Sequence, residues 1–219
     1  MTTMDRVTLQ PASGCNYVRT RDDLAGIAAP DVALVAWPRV LPPAVAQWLE
    51  ALPADALPDF RILVDAAAAA TAITANLRAC WPAEPPLAAW LGDDIASLVG
   101  QFAHITSEPV VDIRLERITG NACWRFHRDC VAARLLCTYR GPGTQWVPES
   151  EAPTALAQQD RYDGQLHELP AHAVAIFKGS RSGDGAGVLH RSPPIAGSGQ
   201  ARLLLCLNTP SEASPPHLF

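Results

Sequence analysis

The chain has 219 residues, of which 48% are hydrophobic and 18% charged, with a formal net charge of −5; this is the length of one domain with enough apolar material for its own core. No Lys/Arg cluster makes the basic stripe of a nucleic-acid binder, no apolar run is long enough for a bilayer, and Met1 to Arg6 is not followed by the apolar segment of a signal peptide. Neither a nucleic acid nor a membrane is therefore an expected partner, and the cytoplasm is the expected location.

Residues 31–39 read as a short strand. Pro42 and Pro43 then open a helix to about Leu52, with Val45, Trp48, Leu49 and Leu52 on one face. Residues 60–64 predict a strand, 66–81 a helix ended by Pro82, and 87–104 an amphipathic helix. In the last, Leu91, Ile95, Leu98, Val99 and Phe102 follow the i, i+3, i+4 rule. Near residue 108 the chain changes character, from alanine, proline and leucine to short β-rich segments between Gly/Pro/Ser loops. Over 110–118, Val111, Ile113 and Leu115 share one face while Asp112, Arg114 and Glu116 share the other.

Further strands are expected at 123–129, 133–139, 145–147, 174–177, 188–190 and 202–207. Between them fall a Gly-Pro-Gly turn at 141–143, a polar loop to about Gly164, and a Gly/Ser-rich loop at 179–187. That last loop lacks the Lys-Ser/Thr of a phosphate cradle and reads as a hairpin loop, leading into His190, that can act as a lid. The expected class is α+β: a C-terminal jelly-roll core with N-terminal helices packed on one sheet. The organisation reads as a single domain over 1–219, with a strand/helix support region at 1–108, the core at 109–210 and a tail at 211–219.

The chemistry concentrates at Phe126-His127-Arg128-Asp129. Side chains two apart on a strand point the same way, so His127 and Asp129 are adjacent ligands. His190, on a later strand, supplies a third. Two imidazoles and one carboxylate form a facial triad that suits Fe(II) and leaves positions open for oxygen and an organic co-substrate. Arg202 starts an otherwise apolar strand, Leu203 to Leu207. A buried guanidinium there needs a partner, and a carboxylate pairs with it bidentately. A dicarboxylate such as 2-oxoglutarate meets both demands, one end on the metal and the other on Arg202.

Phe126 to Asp129, Leu189-His190-Arg191-Ser192 and the strand Arg202-Leu203-Leu204-Leu205-Cys206-Leu207 resemble the Fe(II)/2-oxoglutarate-dependent dioxygenases. The resemblance covers about 110–210 and, more loosely, 31–105. It implies a double-stranded β-helix, which is a jelly-roll variant. His127, Asp129 and His190 are then the catalytic iron ligands, and Arg202 anchors the far carboxylate of 2-oxoglutarate. The reaction implied is oxidation, usually hydroxylation, of a small-molecule or peptide substrate. Asp129 argues against the halogenating relatives, where a small residue at that position leaves room for halide. Within the superfamily the chain is similar to a bacterial family known only as a domain of unknown function. One departure stands out: Leu203 and Leu204 follow Arg202, so the serine or threonine of an R-x-S/T motif is missing.

Several choices stay open. Arg134 and Tyr139 lie on opposite faces of their strand, and either can line the co-substrate pocket. Arg114 and Glu116 face solvent or the interior, depending on which face of their strand packs on the helices. Cys123 shares the parity of His127 and Asp129, and a Cys/His/His/Asp set suits tetrahedral Zn(II). A non-catalytic zinc-binding jelly roll in metal handling or sensing is therefore the alternative to an oxygenase. The six cysteines, Cys15, Cys80, Cys123, Cys130, Cys137 and Cys206, show no CxxC spacing and are expected to be thiols, with Cys130 turned to the core. His172 is the best substitute ligand among the other histidines.

Overall fold

The structure is a computed structural model and describes residues 15–83, 85–183 and 185–218; the signal-peptide reading of Met1 to Arg6 lies outside them. In chain order the elements are β1 (Cys15–Tyr17), β2 (Leu34–Trp37), α1 (Pro43–Ala51), β3 (Phe60–Asp65), α2 (Ala69–Cys80), α3 (Ala88–Thr106), β4 (Val110–Ile118) and β5 (Ala133–Arg140). There follow β6 (Gln145–Trp146), α4 (Ala152–Gln158), β7 (His167–Glu168), β8 (Val174–Lys178), β9 (His190–Arg191), β10 (Arg202–Asn208) and β11 (His217–Leu218). The large sheet runs β1-β2-β8-β5-β10-β4-β3-β11, and the small one β7-β6-β9. From β2 to β3 every neighbouring pair is antiparallel.

The strand β10 explains how the layers form. Every one of its residues is buried, as expected for a strand covered on both faces. Leu203, Leu205 and Leu207 join Val111, Ile113 and Leu115 of β4 in the core that holds Leu91, Ile95, Leu98, Val99 and Phe102 of α3. The alternate set faces the other way. Leu204 and Cys206 pack with Leu136, Ala175 and Phe177 of the large sheet and with Trp146 of the small one. The fold is thus α+β, a jelly roll whose large sheet carries helices on its outer face and encloses an interior with the small sheet. Since the apolar face of β4 packs on the helices, Arg114 and Glu116 point into that interior.

Four expectations are corrected. Residues 123–129 do not form a regular strand; the segment bends, and its ladder is a single antiparallel bridge between His127 and His190. The polar loop after β6 contains α4, which carries Pro153 in its first turn and buries Ala152 and Ala155 one turn apart. The region before residue 108 is not merely a support, because β1, β2 and β3 are members of the large sheet. The tail also contributes, since His217 and Leu218 pair in parallel with Leu63 and Val64. No helix of the described residues is long and apolar enough to cross a membrane.

Candidate metal centre

The bridge between His127 and His190 is reciprocal: each backbone N–H donates to the other's carbonyl at 3.0 Å. Directly opposed residues of an antiparallel pair project to the same side, which sets the two imidazoles beside each other with ring centroids 4.6 Å apart. Asp129 arrives from two residues along the same segment. The ligand atoms of His127, Asp129 and His190 all lie within 4.8 Å of one another. His127 Nε2 is 3.6 Å from Asp129 Oδ1, and His190 Nε2 is 3.3 Å from Oδ2.

The surrounding bonds fit this set to a cation. His127 Nδ1 meets the Arg125 carbonyl at 2.8 Å and His190 Nδ1 meets the Val188 carbonyl at 3.0 Å. A carbonyl only accepts, so both Nδ1 atoms carry the proton and both Nε2 lone pairs face the centre. Burial pushes the His190 pKa down to about 4, which keeps its imidazole neutral at physiological pH. Asp129 Oδ2 is buried with no hydrogen-bond partner among the described residues. An orphaned carboxylate oxygen beside two inward-facing imidazole nitrogens is a donor set that suits a divalent metal.

Behind the ligands, Arg134 Nη1 bonds Asp129 Oδ1, and its Nε donates to Asn208 Oδ1 at 2.6 Å. The Asp129 carbonyl receives the Ser180 amide at 2.8 Å and hydroxyl at 3.0 Å. A Cβ on Gly179 would collide with the Val131 carbonyl and lie 2.9 Å from that of Asp129. The base of the 179–187 loop, which joins β8 of the large sheet to β9 of the small one rather than forming a hairpin, closes on the ligand segment because this residue has no side chain. Arg128 reaches outward instead, donating to the Gly187 carbonyl at 3.0 Å and to both oxygens of Glu149 at 2.9 Å.

The triad opens on a cavity of about 200 Å³ bordered by His127, His190, Arg134, Leu136 and Leu204, with Thr144 and Ser192 toward Arg202. The Arg202 side chain ends behind that wall and is fully buried. Its Nε donates to the Pro142 carbonyl at 2.8 Å, Nη1 to Ser192 Oγ at 2.9 Å, and Nη2 to Thr138 and Thr144 Oγ1 at 3.3 Å each. Among the described residues no carboxylate lies within ion-pair distance of it. Burial lowers its pKa to about 10, so the guanidinium stays charged near neutrality.

The hydroxyl missing from the Arg202 motif is therefore supplied from elsewhere, by three residues to which the sequence reading gave no role. Two of them carried a signal: Thr138 has the parity of Arg134 on β5, and Ser192 stands two residues past His190. Arg134 reaches the cavity, where it holds Asp129. Tyr139 does not, and its assignment to the co-substrate is corrected. It points to the helix side of β5, fully buried, and its hydroxyl donates to Asp94 Oδ2 of α3 at 2.5 Å. Cys123 borders the cavity, yet it lies outside the ligand group because the bent segment breaks the parity that aligned it with His127. Cys130 is exposed rather than turned to the core; Cys15, Cys137 and Cys206 are the buried thiols. His172 lies outside the ligand group too; its carbonyl receives Arg39 Nε at 3.1 Å.

A family model described as "Protein of unknown function (DUF1826)" matches residues 19–208. No curated protein matches the chain. Among solved structures, the chain is similar to a Pseudomonas putida prolyl-4-hydroxylase at 12% identity and TM-score 0.44, covering 90% of this chain and 96% of that one. A full-length Neurospora crassa protein in complex with alpha-KG gives 9% identity and TM-score 0.42, over 87% of this chain and 77% of that one. AviO1 from Streptomyces viridochromogenes Tue57 gives 15% and 0.38, over 85% and 93%. At these values the likeness bears on neither substrate nor reaction.

Proposed function

The chain belongs to the DUF1826 family, and from that premise and the geometry of its centre we propose that it is a non-haem Fe(II) oxygenase that uses O2 and 2-oxoglutarate to oxidise a small-molecule or peptide substrate. The observation that carries the reading is a largely buried His/Asp/His set on one cavity together with, behind the cavity wall, a buried guanidinium that has no acidic partner among the described residues.

His127, Asp129 and His190 would hold the metal on one face. Bound there with O2 and 2-oxoglutarate, Fe(II) supplies oxidation of a substrate C–H coupled to decarboxylation of the co-substrate to succinate. The chain's own residues do the positioning. The two Nδ1–H···O=C bonds fix the tautomer and tilt of each imidazole, and Arg134 holds Oδ1 of Asp129 in place. Arg202 answers the far carboxylate of the diacid, with Ser192 and Thr144 as hydroxyl donors at the wall. A buried cation without a counter-charge costs several kcal/mol, so a bound carboxylate recovers part of that cost. Arg134, on Asp129, and Thr138, on Arg202, are four residues apart on the same face of β5, about 13 Å along a strand. Leu136 and Leu204 line this path and exclude water from it.

The test is anaerobic reconstitution with Fe(II) followed by 2-oxoglutarate. A metal-to-ligand charge-transfer band is expected in the wild type and absent in Asp129→Ala. Arg202→Met is expected to keep the metal and weaken 2-oxoglutarate binding by about tenfold or more, the loss of a charge-assisted fork. Folded wild-type protein that shows no band would remove the co-substrate. Tight Zn(II) binding with no succinate formed in the Fe(II)-loaded protein would favour the zinc alternative.

A further inference from the structure

Beside the metal centre stand two guanidiniums that the proposed reaction has not used. Arg61 on β3 lies directly across the antiparallel ladder from Arg114 on β4, and both border the cavity that holds His127 and His190. Like charges opposed across a ladder are destabilising, so the pair is a standing local cost. Each has one carboxylate. Asp112 takes Nε and Nη2 of Arg61 at 3.0 and 2.7 Å, and Glu116 takes Nη2 of Arg114 at 2.6 Å. Among the described residues, Nη1 of Arg61 and both Nε and Nη1 of Arg114 make no hydrogen bond. The two side chains are 37% and 43% exposed, unlike Arg202.

The two anchors hold differently. Asp112 is buried and also accepts from Ser214 Oγ at 2.8 Å, which fixes Arg61 as a rigid fork. Arg114 has only Glu116, and partial burial raises that carboxyl's pKa, so its hold on Arg114 is the one a ligand can replace. Arg202 lies elsewhere: on β10 it is in register with Ile118 at the end of β4, whereas Arg114 is in register with Cys206. The diacid and the Arg61/Arg114 pair therefore occupy different strands of the same wall.

We propose that Arg61 and Arg114 form the substrate subsite and that the substrate presents an oxyanion, a carboxylate or a phosphate, to their unspent N–H groups. Two neighbouring planar forks recognise an oxyanion by geometry as well as charge. The word "substrate" rests on the oxygenase reading; the oxyanion site does not. Its position beside the triad means that the oxidised carbon lies a short distance from the anionic group.

The experiment uses the full chain loaded with redox-silent Zn(II) and saturating 2-oxoglutarate. Inorganic phosphate and, separately, acetate are titrated by calorimetry at constant ionic strength. At least one is expected to bind, and the preferred one names the chemistry of the substrate. Arg114→Gln is expected to weaken that binding about tenfold, and Arg114→Lys to restore part of it, with 2-oxoglutarate affinity unchanged in both. Arg61 is left intact because its removal strands buried Asp112. Failure of both anions to bind the wild type, or equal binding to Arg114→Gln, overturns the proposal. If 2-oxoglutarate itself does not bind, the oxygenase reading falls alone, and the same titrations on the Zn(II)-only protein still decide the oxyanion site.

Discussion

His190 is enclosed, with Phe177 edge-on at 5.0 Å and its Nδ1 on the Val188 carbonyl. Burial lowers its pKa from 6.5 to about 4, so between those values the unfolded chain binds a proton that the native chain refuses. Stability from this group is therefore complete above about pH 6.5 and lost as pH falls toward 4, at a slope of at most about 1.4 kcal/mol per pH unit. Urea melts of the metal-free protein from pH 7 to 4.5 are expected to show that slope in the wild type and a flatter one in His190→Gln; parallel curves would contradict it. At this scale the meeting of His127, Asp129 and His190 was legible because their order and two-residue spacing are written in the chain. The hydroxyls around Arg202 were less so: Thr138, Thr144 and Ser192 come from three separate segments, and only the folded sheets gather them.

The ligand segment shows how an element can fail as a strand and still serve. Residues 123–129 have one bridge rather than a ladder, so something else must fix their course. Gln159, just past α4, does this with its side chain: Oε1 accepts the Phe126 amide at 2.8 Å and Nε2 donates to the Phe126 carbonyl at 3.3 Å. The amide thus imitates a neighbouring strand next to His127. Gln159 holds φ at +54°, uncommon for a side-chain-bearing residue, and such strain persists where the surroundings impose it. Gln159→Ala is expected to weaken metal binding about tenfold, as loss of ligand support does. A variant that melts earlier yet keeps wild-type metal affinity would reduce the clamp to a packing role. Sequence patterning missed this element because a seven-residue helix with Leu156 as its one large apolar side chain has almost no apolar period, whereas α3 and β4 announced themselves by theirs.

Across the whole molecule the large sheet divides two kinds of polar chemistry. On the helix side, Arg39 forks Asp94 at 2.6 and 2.7 Å, and Tyr139 donates to the same carboxylate. This buried network ties β5, α3 and the chain after β2 together. Tyr139→Phe is expected to cost about 2 kcal/mol, the range for a hydrogen bond to a charged group, and to leave 2-oxoglutarate binding unchanged. Altered co-substrate affinity with unchanged stability would return Tyr139 to the cavity side. The jelly-roll class followed from strand spacing, but the membership of β1, β2, β3 and β11 in one sheet did not, since pairing partners far apart in sequence leave no periodic trace. On the other side of the sheet, His127 and His190 belong to the small sheet's edge, while Asp129 is held by Arg134 of β5. A cation bound there fastens the two sheets to each other. The two amide hydrogens of the His127–His190 bridge lie on that seam, and neither is released unless the seam parts. Their exchange with deuterium then becomes a paired clock: the two protons leave together, and the interval between events measures how often the sheets separate with and without metal.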